Sequence, residues 1–297
     1  MRLNGIRDHH TDLRAVPVGQ LDLHGQRLVV IGGTNGLGRA MARQAADLGA
    51  NVTVVGRTLR EETSTRPEFV RADLSSMVEA SRLGRELPVE SADVVVFSQG
   101  IFAAKTRQET AEGIERDMAT SYLSRLAVLQ GLAPRLGTAR GPAAKTARVF
   151  VMGAPGTAAL GNPDDLNAEH HYRGVTAHQN TVAANEALVL AGKDRWPHLN
   201  FFGINPGPIK TDILANNLGE GSLTHRLAQT IIGLVRQSPE TFATRIVPVL
   251  FAPGLDNRTA VMINGKGQPT LASRGMSPER VQQFMTASDI LLRRALA

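Results

Sequence analysis

The segment Ile31-Gly32-Gly33-Thr34-Asn35-Gly36-Leu37-Gly38 constrains this chain more than any other, because it ends a short β-branched run at 27–32 and opens a helical pattern at 39–48. A strand that breaks into glycines and then into a helix aims backbone N–H groups and the positive helix end at one point. That point suits a pyrophosphate. Gly32 permits the tight exit from the strand, Gly36 lets the backbone approach phosphate oxygens, and Gly38 lets the helix lie close on the sheet. Dinucleotide binding is therefore assigned to Gly32, Thr34, Asn35, Gly36, Leu37 and Gly38, in preference to a purely structural turn.

The rhythm continues downstream. Apolar runs at 51–55, 69–72, 93–97, 148–152, 200–204 and 260–264 predict further strands, and helical patterns fall at 77–87, 113–136 and 176–193. Seven strands alternating with helices predict an α/β, Rossmann-type, doubly wound domain: a mostly parallel sheet with helices on both faces. This single domain is expected over 26–297, after a polar lead-in at 1–25, and 277–296 reads as a closing packing helix. Two polar, glycine-interrupted segments, 154–175 and 211–238, follow strand ends and are assigned as substrate lids, with ordinary surface insertion as the alternative.

Composition removes several functions. The chain has 297 residues, a length one α/β domain covers, and no cysteine, which excludes disulfides, thiolate nucleophiles and Cys-ligated metal. The net charge of +6 comes from scattered arginines that do not cluster with the few aromatics, so nucleic acid is not an expected partner. No uncharged run reaches the roughly 18 residues of a membrane span, and the charged start lacks the apolar run of a leader. No membrane association and a cytoplasmic location are expected. The pairs His9-His10 and His170-His171 lack metal-site spacing, so no metal is expected. A Gly-x-Ser-x-Gly elbow is also absent, which speaks against a serine hydrolase.

The second strand ends Val55-Gly56-Arg57. A guanidinium there can pair bidentately with a ribose 2′-phosphate, so Arg57 favours NADP(H) over NAD(H), the alternative being a solvated surface arginine. Asp73, after the third strand, could accept from an adenine amino group or cap the following helix.

The spacing Gly32-x-x-x-Gly36-x-Gly38, with Gly56-Arg57 and then Ala72-Asp73-Leu74, resembles the short-chain dehydrogenase/reductase superfamily over nearly the whole chain. Gln99-Gly100-Ile101 stands where that family has Asn-Ala-Gly, and Asn205-Pro206-Gly207-Pro208-Ile209-Lys210-Thr211 follows the sixth strand. Ser98–Phe102 with Glu112-Gly113-Ile114 looks most like a divergent branch. The resemblance implies cofactor contacts from Leu74, Ser98, Gln99, Gly100, Pro206, Gly207 and Thr211. It also implies a homodimer or homotetramer assembled through the fourth and fifth helices.

The family's proton chemistry rests on Tyr-x-x-x-Lys with a serine and an asparagine. Here Tyr122 is followed four residues on by Leu126 and Tyr172 by Thr176, so the chain holds no Tyr-x-x-x-Lys. Counted back from Pro206 by the family's usual distance, Thr176 takes the tyrosine place and Asn180 the lysine place, where it would also meet the cofactor. Ala154 takes the serine place and Ser121 the asparagine place. Tyr172, spaced by four from Thr176 and Asn180, shares their face if the helix begins early, which makes it the best surviving proton donor. Without a cation it keeps a tyrosine's ordinary pKa of about 10. His170 and His171 could supply that charge or act themselves, or form a solvated loop. His178, two residues from both Thr176 and Asn180, reads as turned away.

The catalytic candidates are thus Tyr172, Thr176, Asn180 and Ser121. Three functions fit: an atypical NADP(H)-dependent oxidoreductase acting on a small organic substrate, an NADP(H)-binding pseudoenzyme working through a partner, and an enzyme of this fold with a non-redox cyclisation or elimination.

Overall fold

The structure, a computed structural model, describes residues 5–59, 67–142, 144–207 and 237–297. Its sheet runs β1 (Arg27–Ile31), β2 (Asn51–Gly56), β3 (Glu68–Arg71), β4 (Val94–Phe97), β5 (Arg148–Met152), β6 (Asn200–Asn205), β7 (Val261–Asn264) and β8 (Pro269–Thr270). The spatial order is β3-β2-β1-β4-β5-β6-β7-β8, parallel except for β8, which pairs antiparallel with β7. Seven strands were expected; the eighth is a two-residue edge too short to show a period. The order reverses between β1 and β4, where a doubly wound sheet opens its ligand crevice.

Side chains alternate across the sheet. Val29 and Ile31 join one core with Val95, Phe97, Val149 and Val151, while Leu28 and Val30 join the other with Val94, Val96, Phe150 and Met152. Helices α1 (Gly36–Asp47) and α6 (Pro239–Leu250) cover the second face. The first face is covered by α2 (Met77–Glu86), by α3 (Arg116–Met118) running through a π-helical turn at Ala119–Leu123 into α4 (Ser124–Leu132), and by α5 (Gly174–Arg195). Local chemistry starts several helices: Asn35, Ser76 and Ser277 each accept a backbone N–H at an N-terminus, and a proline follows Ser277.

The last helix, α7 (Pro278–Leu296), packs on α5 and reaches the π turn, where Tyr122 Oη and Ser288 Oγ meet at 2.6 Å in a buried contact. It therefore covers part of α5 and also meets α2. The N-terminal lead-in is also built in, since Asp8 N–H donates to Pro269 O at 3.0 Å and Leu271 N–H to Ile6 O at 2.8 Å.

The carboxyl ends of β4 and β5 are pinned together by one side chain. Arg125, on α4 and fully buried, donates to Gln99 O, to Met152 O and, at 2.9 Å, to Asn185 Oδ1 on α5. Burial pushes its pKa down to about 9, which still leaves the guanidinium charged at neutral pH. Removing it would strand three buried acceptors. Arg125→Ala is expected to lower unfolding stability by roughly 3 kcal/mol in a urea titration, with Arg125→Lys recovering only part.

Candidate functional site

The glycine turn sits at the crevice. Gly32 has φ +88° and Gly36 φ +53°, left-handed values that favour glycine. A methyl group at Gly38 would overlap Gly32 O and Ser98 Oγ, so helix α1 approaches the turn as closely as backbone allows. Asn35 caps α1 by accepting Gly36 N–H at 2.8 Å. The cradle fits a pyrophosphate: the twelve-residue helix α1 begins here and turns its positive end to the glycines. Leu37 and Leu74 bury their side chains in the two cores, so only their backbone faces a ligand.

Arg57 is exposed just beyond β2, and its charge reaches Asp73. Asp73 accepts Ser75 N–H and Oγ–H at 3.0 and 2.8 Å. Desolvation pushes its pKa up, but these bonds and Arg57 outweigh it and leave the carboxyl below its ordinary range. Capping α2 falls to Ser76 instead, which corrects that alternative for Asp73. Gly207, with φ +68°, turns the chain after β6 and donates to Asn205 Oδ1 at 2.9 Å. Thr211, and nearly all of the second lid segment at 211–238, lie outside the described residues.

The loop after β4 carries the next set. Ser98 Oγ donates to Ile31 O at 3.0 Å and locks this loop against the glycine turn. Gln99 is buried beside Ser124, with its Oε1 unpartnered. Ile101 N–H donates to Ser121 Oγ at 2.8 Å, and Ser121 Oγ in turn donates to Asp117 Oδ1 at 2.6 Å. The other carboxylate oxygen, Oδ2, meets His178 Nδ1 at 2.7 Å, and the imidazole packs on Phe102 with ring centroids 4.2 Å apart. Asp117 is wholly buried, whereas the His178 side chain keeps 27% exposure.

Sequence reasoning missed this pair. It followed the spacing 172, 176, 180, but α5 starts at Gly174, so Tyr172 lies outside the helix and the expected shared face is corrected. Asn180 uses all its polar atoms on the preceding loop: Oδ1 accepts Asn162 N–H at 2.8 Å and Nδ2 donates to Asp165 O and Leu166 O. The positions facing Ser121 and the loop after β4 are instead His178 and Asn185, seven residues apart on one stripe, with Asn185 Nδ2 donating to Ser121 O at 2.9 Å. Asp117 and Ser121, one turn apart beside a helical pattern, were the available signal.

Tyr172, exposed Thr176 and Asn180 line a separate cavity of about 380 Å³ with His170, His171, Asp165 and Arg173. Tyr172 Oη donates to Ala104 O at 2.9 Å and lies 3.4 Å from Glu115 Oε1. Burial, then the Glu115 charge, push the phenol up to about 12, opposite to the shift an acid needs near neutrality. The nearby carboxylates Glu115 and Asp117 outweigh Arg107 there.

A Rossmann-type crevice with a glycine cradle and a polar set at the ends of β4 and β5 defines a nucleotide-binding enzyme fold. No family model matches the chain. It is 42% identical over 283 residues to an uncharacterised oxidoreductase of Saccharomyces cerevisiae, covering 94% of this chain and 92% of the yeast protein. A polyprenol dehydrogenase of Mus musculus is 28% identical over 255 residues, 78% of this chain and 73% of the mouse protein. A short chain dehydrogenase of Shigella flexneri complexed with NADP superposes with a TM-score of 0.59 at 16% identity, covering 82% of this chain and 98% of that one. The chain belongs to the short-chain dehydrogenase/reductase superfamily.

Glu115 gives a test of the site's electrostatics. Burial, and then repulsion from Asp117, raise its carboxyl pKa above the ordinary range. The folded chain then binds this proton more tightly than the unfolded chain, so Glu115 costs stability increasingly as pH rises through the unfolded carboxylate range. Glu115→Gln keeps an oxygen for Met118 N–H, which Glu115 Oε2 now caps at 2.8 Å. The variant is expected to gain on wild type at neutral pH and to lose that gain in mild acid, read as urea midpoints at both values.

Proposed function

We propose that this chain is an NADP(H)-dependent oxidoreductase that acts on a small organic substrate with a non-standard catalytic set. The glycine turn carries the reading: at Gly32, Gly36 and Gly38 it has the conformation and clearance that a pyrophosphate at a helix N-terminus requires, at the point where the strand order reverses. When bound, a nicotinamide exchanges a hydride with a substrate carbon, and the protein manages one proton at the neighbouring heteroatom. Ser98, Gln99 and Gly100 border the turn, and Pro206 and Gly207 follow β6 at the same edge of the sheet.

Exposed Arg57 supports the preference for NADP(H), since β2 is followed directly by a guanidinium and not by a carboxylate. A charge-assisted bond to a 2′-phosphate contributes roughly 1.5–3 kcal/mol, about ten- to a hundredfold in affinity. Fluorescence titration should show NADPH binding, with Arg57→Ala weakening NADPH by that factor and NADH little. Equal losses would remove the 2′-phosphate role. No binding of either cofactor near millimolar concentration would remove the oxidoreductase and the pseudoenzyme readings together.

The chain is expected to assemble as a homodimer or homotetramer, as the resemblance implies, and light scattering should return two or four times the 31.8 kDa chain mass; a mass of 31.8 kDa would remove that reading.

A further inference from the structure

We infer that His178, oriented by Asp117, is the group that gives and takes the proton at the substrate's reacting oxygen; this rests on the oxidoreductase reading above. The imidazole has two nitrogens with different fates. Nδ1 is held at 2.7 Å by Asp117 Oδ2, and since a carboxylate only accepts, this places hydrogen on Nδ1. Nε2 is the nitrogen left for a substrate. The side chain is the exposed member of an otherwise buried set, and Phe102, from the loop after β4, supports one face of the ring.

Asp117 is fixed in turn. Its second oxygen accepts from Ser121 Oγ, which also accepts Ile101 N–H, so the carboxylate is tied to the same loop that Ser98 locks against the glycine turn. The π-helical turn at Ala119–Leu123 contains Ser121 and joins the helix bearing Asp117 to the one bearing Arg125. Such turns interrupt helices at functional sites. The titratable and charged groups that interact with Asp117 are Glu115, which caps α3, Arg125 on α4 and Tyr172 in the loop before α5.

The step balances as follows. In the reducing direction the Nε2 proton of the imidazolium passes to a carbonyl oxygen while a hydride from reduced nicotinamide reaches the carbon. Alcohol, oxidised nicotinamide and neutral imidazole result, and water returns the proton to Nε2. Oxidation runs the same transfers backward. Asp117 is the positioning residue: it fixes the tautomer and steadies the imidazolium.

Two magnetic resonance measurements on the chain carrying isotope-labelled histidine test this, with His178 assigned by its loss in His178→Gln. With NADP+ bound, nuclear Overhauser effects are expected between the nicotinamide ring protons and His178 Hε1, and the free chain should show the Nδ1–H tautomer, lost in Asp117→Asn. NADP+ that binds without reaching His178 overturns the inference and spares the cofactor reading, whereas failure of NADP+ to bind overturns that reading first. Nitrobenzaldehyde reduction by NADPH should fall at least about a hundredfold in His178→Gln with NADPH affinity unchanged. Equal rates in wild type and variant overturn the proton role.

Discussion

A guanidinium buried at the carboxyl edge of a parallel sheet is the constraint on which the site depends. Strands β4 and β5 stop pairing at Phe97 and Val151, and just beyond them Met152 O and Gln99 O are buried. Leaving each unbonded would cost about 1–3 kcal/mol. Arg125 satisfies both and adds Asn185, at the expense of its own desolvation, visible in the lowered pKa. Nε remains unpartnered, and the charge has no carboxylate in contact, only the more distant attraction of Asp117. A leucine would pack there without that penalty, but it would release the ends of two strands and a helix at the mouth of the crevice.

From Arg125 the polar groups run outward as one connected set. Asn185 joins the guanidinium to Ser121 O, Ser121 joins the loop after β4 to Asp117, and Asp117 holds His178 at the surface. Each member except the last is buried, so each is oriented by the one before it. Low dielectric strengthens these bonds and penalises any gap among them. The Tyr172–Glu115 branch is a different construction: a phenol over a buried carboxylate, closing the 167–172 loop onto α3 through Asn167 Oδ1, which accepts Glu115 N–H at 2.8 Å. It holds a loop in place, and its charge balance works against ionising the phenol.

The sheet was legible because burial on both faces writes near-continuous apolar runs, as in Arg27–Ile31 and Val94–Phe97, and because glycines mark where the first strand must turn. Helix existence was legible for the same reason. What failed was rotation about a helix axis. Counting back from Pro206 fixed a residue's height along α5 but not the direction of its side chain, and a two-residue error turns an α-helical side chain through about 200°. Asn180 then lands on the loop at 162–166 and His178 on Asp117, some sixty residues earlier in sequence. Partners that distant leave no local period. The antiparallel edge of β8 against residues 6–8, and the packing of α7 on α5, were hidden in the same way, because each joins segments far apart in sequence.

The two halves of the site tolerate sequence change differently, and this explains why one kept a familiar pattern while the other did not. The glycine turn asks only that certain positions lack a Cβ: Gly32 and Gly38 lie too close to Gln99 and Gly32 O for a side chain, and Gly32 and Gly36 take left-handed backbone, so the sequence records that demand directly. A proton relay asks for a titratable atom at one place, with a charged neighbour to set its tautomer or its pKa. A tyrosine needs a cation to bring it toward neutrality, whereas an imidazole's ordinary pKa already lies there and a carboxylate suffices to orient it. A tyrosine without a cation nearby therefore keeps its proton at neutrality, whereas an imidazole is oriented by a carboxylate alone, and His178 on α5 meets Asp117 on α3 at 2.7 Å in that arrangement.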